Sequence, residues 1–120
     1  MTRLKLNTES YNSSFGQNGS FLMKHTSTAV TLTGRNGVIT AIAILEDNTT
    51  FASSNGLVAE DATKFINTES KPTVGGLSGT ASSTAVGEVL DSYEFPKGCI
   101  LYGRWTQIDL SAGSCICYVD

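Results

Sequence analysis

Charge is scarce in this 120-residue sequence: Asp, Glu, Lys and Arg make up 16% of it, against roughly 25% in an ordinary soluble domain. Eight basic residues face eleven acidic ones, for a net charge of −3. The chain therefore has no positive footprint for nucleic acid, and no basic face for an anionic membrane. Proline occurs twice, and histidine and tryptophan once each, so a site needing two imidazoles is excluded. No apolar run approaches the roughly 18 residues of a membrane-spanning helix. Beyond Leu6 the chain turns polar where a signal peptide needs an apolar run of about 7, so synthesis in a cytoplasm is expected.

What is abundant is Ser, Thr, Asn and Gly, together two residues in five. Ser, Thr and Asn compete for backbone hydrogen bonds and Gly costs entropy in a helix, so short strands and loops are favoured over long helices. The length fits one domain. The expected fold is all-β: a compact antiparallel β-sandwich or barrel over 21–120, an extended N-terminal arm over 1–20, and at most one short helix.

Val30 and Leu32 alternate with Thr31 and Thr33 ahead of Gly34-Arg35-Asn36-Gly37, and Val38 to Leu45 follows, a pattern that predicts a hairpin from Thr28 to Glu46. Both faces of its second strand are apolar, which predicts a central position. Val58, Ala62, Phe65 and Ile66 have helical spacing. Residues 67–83, with Pro72, Gly75, Gly76 and Gly79, read as a long surface loop of the kind that serves function or a partner. Phe95-Pro96-Lys97-Gly98 predicts a type I turn. Ser111-Ala112-Gly113 predicts a terminal hairpin, which would place Leu101, Trp105, Cys115, Cys117 and Val119 on one face and Tyr102, Ile108, Ile116 and Tyr118 on the other.

Reactive chemistry finds little support. His25 stands alone and reads as a solvent-facing strand-end residue. Cys115-x-Cys117 lacks the four ligands of a tetrahedral site, and with Cys99 it reads as reduced structural thiols. Glu60-Asp61 and Asp91 with Glu94 lack a calcium-loop spacing. Gly34 to Gly37 and Gly75 to Gly79 lack the strand and helix context of a phosphate cradle. Neither an enzyme nor a cofactor is expected. Tyr102-Gly103-Arg104-Trp105 is open between two readings. One is core packing plus a salt bridge from Arg104 to Asp109 or Glu94; the other is an intersubunit anchor, since Tyr, Arg and Trp are enriched at binding hot spots.

Val38-Ile39-Thr40-Ala41-Ile42-Ala43-Ile44-Leu45-Glu46-Asp47, and the stretch from Phe95-Pro96-Lys97-Gly98 through Tyr102-Gly103-Arg104-Trp105 to Gly113, resemble a group of small virion proteins of tailed bacteriophages, especially phages of cyanobacteria. That resemblance implies a capsid decoration (cement) protein on the outer surface of an icosahedral head, with the major capsid protein as partner and a homotrimer as assembly. A tail or receptor-binding module is the alternative it leaves open. The arm and the loop hold spaced apolar anchors among polar residues, Leu4, Leu6, Tyr11 and Phe15 in the first and Val74 and Leu77 in the second. They are expected to grip the shell by strand addition, while Tyr102, Arg104 and Trp105 hold the subunits together.

Overall fold

A computed structural model describes residues 18–32, 37–73 and 85–120. This part holds eight strands and no helix: β1 (Gly19–Lys24), β2 (Val30–Thr31), β3 (Ile39–Ile44), β4 (Thr50–Phe51), β5 (Leu57–Ala59), β6 (Ile100–Ile108), β7 (Leu110–Ala112) and β8 (Ser114–Val119). Six of them form one curled sheet, a half-barrel, in the order β1-β8-β3-β6-β2 with β5 also on β6, while β4 and β7 make a separate two-stranded ribbon. Every pairing is antiparallel. The expected all-β class holds. Of the expected arm over 1–20, residues 1–17 lie outside the described residues and Gly19 and Ser20 open β1; of the expected loop over 67–83, residues 74–83 lie outside them, as do 33–36 and 84.

β3 is central, as its two apolar faces predict: Ile42 stands opposite Leu101 on one side and Cys117 on the other. A register shift between Ile39 and Ala41 adds a residue to β3 against β8. Ile39 and Ile42, three apart in sequence, can thus both enter the core, while Ala41 and Ala43 take the other face. Such a bulge re-aims side chains within a continuous ladder.

Two predicted hairpins are replaced by longer-range pairing. Val30 pairs with Ile108 and Ile39 with Trp105, while Leu57 and Ala59 hold the opposite side of β6 at those same two residues. β2 and β3 therefore follow one another along a single side of β6 and do not fold back on each other. The local Asn36-Gly37 signal loses because both sides of β3 are taken by β6 and β8, whose pairing buries far more apolar surface. For the same reason β6 and β8 do not pair at the end of the chain. β3 lies between them, and Trp105 and Val119 meet Ile39 from its two sides.

Leu101, Trp105, Cys115, Cys117 and Val119 do share the core face, and all but Leu101 are buried. Ile108, expected on the opposite face, is fully buried in that core. The reason is an extra residue in β6 between the partners of Val58 and Ala59, which turns Ile108 to the same side as Trp105.

The helical spacing from Val58 to Ile66 yields no helix. Val58 is in β5, and a single turn follows, where Lys64 and Phe65 N–H donate to the Asp61 carbonyl at 3.0 and 3.3 Å. Ile66 cannot continue it, because its carbonyl accepts the Trp105 indole N–H at 2.7 Å. The residues after it are not all surface loop either. Asn67 is fully buried, and its Oδ1 accepts the N–H groups of Glu69 and Ser70 at 2.8 Å each. The Pro96 turn is also displaced by one residue: Cys99 N–H donates to Pro96 O, with Gly98 third in the turn at φ +90°.

Candidate functional site

Alternation along the strands sends two sets of residues to the two faces of the sheet. Trp105, Ile39, Ile42, Ile44, Met23, Cys115 and Cys117 fill the inner face, where the ribbon adds Phe51 and Leu110. The outer face is built from two cross-strand rows. One runs Ser20, Tyr118, Ala41, Tyr102; the other runs Leu22, Ile116, Ala43, Ile100.

The two alanines lie in the middle strand between bulky neighbours. The result is a shallow apolar depression lined by Ala41, Ala43, Ile100, Tyr102 and Tyr118. Leu22, Ile100 and Tyr102 are 55%, 50% and 60% exposed, three of the most exposed large apolar side chains gathered on one face. Scattered exposed hydrophobes are ordinary, but a contiguous patch on a sheet marks an interaction surface.

Beyond Tyr102 the face becomes polar. Arg104 grips Glu60 with both ends of its guanidinium, Nε to Oε1 at 2.7 Å and Nη2 to Oε2 at 3.3 Å. This replaces the expected pairing with Asp109 or Glu94, because β5 runs beside β6 and Glu60 N–H donates to the Arg104 carbonyl. The hydrogen bond from Arg104 holds the Glu60 carboxyl below its ordinary range, and the same bond raises the guanidinium. Bidentate geometry fixes the fork in place.

The expected site residues separate into three groups. Tyr102 lies on the outer face and Arg104 at its border. Trp105 is fully buried; it has no surface to give a partner, so the packing reading holds for it and the anchor reading does not. Leu4, Leu6, Tyr11, Phe15, Val74 and Leu77 lie outside the described residues. Ile116 joins Tyr102 and Tyr118 on the outer face as the alternation predicts, while Leu22, Ala43 and Ile100 are additions that the structure makes. The signal that could have found them is period-two alternation in β1, β3 and β6, read once the bulges are known.

Among the described residues no group of three or more His, Cys, Asp or Glu is placed to hold a metal. His25 is exposed just past β1. Cys99, Cys115 and Cys117 are free, and the Cys115 and Cys117 sulfurs lie 3.9 Å apart in the core. Hydrogen bonding to Cys115, together with burial, pushes the Cys117 thiol far up. Thiolate is the reactive form, so a thiol reagent should label half-buried Cys99 first in the native protein. Cys115 and Cys117 should react only on unfolding; mass spectrometry of timed labelling checks the order, and early labelling at Cys117 would contradict it.

No protein-family model, no curated protein and no solved structure matches the chain.

Proposed function

We propose that this chain is a structural virion protein, a capsid decoration protein that lays its outer sheet face on the outside of a tailed-phage head built of major capsid protein. The observation that carries this reading is the exposed apolar patch centred on Ala41 and Ala43. The two segments that resemble phage virion proteins, 38–47 and 95–113, supply β3 and β6, the strands that bear Ala41, Ala43, Ile100 and Tyr102. Burying apolar surface at about 25 cal/mol per Å² favours covering such a face. The sparse charge around it suits the charge-depleted centre of a protein interface. The arm anchors Leu4, Leu6, Tyr11 and Phe15 and the loop anchors Val74 and Leu77 extend the grip beyond the patch.

Ala43→Glu tests this. Ala43 is half-buried on the outer face, so the added carboxylate charges the depression and spares the core. The variant should keep its cooperative unfolding while its copy number on purified heads falls at least tenfold. Wild-type copy number for the variant, or a wild-type protein found only on tails, would overturn the assignment.

A further inference from the structure

The two ends of the sheet are finished differently. At β5 the outward backbone is closed: Leu57 N–H donates to Thr68 Oγ1 at 3.1 Å, and Thr68 N–H donates to the Leu57 carbonyl at 3.0 Å. At the other end, no described strand covers the outer side of β1.

Its register shows which groups are left there. His25 N–H bonds the Gly113 carbonyl, continuing the unbroken ladder of Gly19 to Lys24 on Val119 to Ser114. Backbone groups alternate sides along a strand. Those of Gly19, Phe21 and Met23 therefore face β8, and those of Ser20, Leu22 and Lys24 face outward. Lys24 is already closed, because its N–H donates to Ser27 Oγ at 3.2 Å and its carbonyl accepts Ser27 N–H at 2.9 Å. Among the described residues, two N–H and two carbonyl groups are left without a partner, on Ser20 and Leu22. Proteins blunt such edges with proline, bulges or charge; Ser20 to Met23 has none of these, the one irregularity lying before it at Gly19, with φ +122° and Asn18 N–H on the Val119 carbonyl.

We infer that this edge pairs with β1 of a second copy, antiparallel, about a two-fold axis at Phe21. The axis follows from the groups available. Centred there, Ser20 of each copy faces Leu22 of the other, and the four open groups of one strand make four hydrogen bonds with the four of its mate. A two-fold axis at Leu22 would instead require the outward groups of Lys24, which Ser27 occupies. The pairing also brings Phe21, partly buried at the margin of the core, against its counterpart. On the outer face it joins the row Ile100, Ala43, Ile116, Leu22 to Ser20, Tyr118, Ala41, Tyr102 of the mate. The two Lys24 residues end at opposite corners, so no like charges meet. The pairing uses the backbone edge of β1, whereas the contact proposed with the shell uses side chains of the outer face, which the pairing continues from one copy into the next.

Sedimentation of the full chain should give a dimer of twice the 12.7 kDa chain mass. Phe21→Cys should cross-link to itself under mild oxidation, since residues facing across the axis come within disulfide reach. Leu22→Cys alone should not. Ser20→Pro removes an outward N–H without touching the ladder to β8; it should raise the dimer dissociation constant about tenfold or more with thermal unfolding little changed. Three results would overturn the proposal: a trimer, a dimer that survives Ser20→Pro unweakened, or a monomer, whether its Ser20 and Leu22 amides exchange freely or are protected by another part of the chain.

Discussion

Truncating Trp105 to alanine should destabilise the protein by about 3–5 kcal/mol, the usual range for a large aromatic side chain deleted from a core. Trp105 heads the fully buried side chains, among Ile39, Ile42, Leu57 and Ile108. Gly103 makes room for it: a Cβ there would come within 2.7 Å of the indole ring. The indole N–H is also the partner of the Ile66 carbonyl, so deletion leaves a cavity and an unpaired acceptor together. Trp105→Phe separates the two effects, since it fills most of the volume and loses only the donor, at about 1–3 kcal/mol. Urea unfolding of both variants measures the costs. A loss under about 1 kcal/mol for the alanine variant would mean that the indole is not the keystone of the inner face.

Gly113→Ala should be nearly as damaging, at about 2–4 kcal/mol, through strain and overpacking acting at one atom. Gly113 joins β7 to β8 at φ +82°, a conformation that L side chains resist. A Cβ there would also collide with the side chain of Thr49 and approach its Cα to 2.7 Å. Thr49 cannot step aside freely. It is fully buried, its hydroxyl donates to the Glu46 carbonyl at 2.7 Å, and its backbone exchanges hydrogen bonds with Phe95. Thr49→Ser keeps the hydroxyl oxygen, Cα and Cβ atoms that the new Cβ meets, so adding it to Gly113→Ala should recover little of the loss. A Gly113→Ala protein as stable as wild type would show that the turn tolerates another path.

Alternation made the face assignments legible where partners were not. Period two is a property of each strand by itself, so it sets Leu101 with Trp105 on one side of β6 and Cys115 with Cys117 on one side of β8; that the two pairs share the core follows from β3, which pairs with both strands. Which strands are neighbours depends on total burial across the sheet, and the Asn36-Gly37 signal contains nothing about β6 or β8. The phase of alternation failed where bulges intervened, at Ile108 after the extra residue in β6. Val58 to Ile66 misled because four apolar residues at helical spacing serve different elements here: Val58 in β5, Phe65 at the core margin, and Ile66 as a carbonyl acceptor for Trp105. Arg104 was legible as one half of an ion pair, but Glu60 as the other half required the β5 pairing.

The placement of β3 sets the order in which the molecule can be made. Ile42 waits for Leu101 on one side and Cys117 on the other, so neither neighbour exists until about 60 and 75 further residues have been made. Pairing this distant in sequence is slow to nucleate, because loop-closure entropy must be overcome before any contact rewards it. Until then Ile39–Ile44 travels as a bare apolar segment rich in β-formers, the kind of sequence that joins its copies in other chains. The arrival of β8 is therefore the step that separates folding from aggregation in this protein.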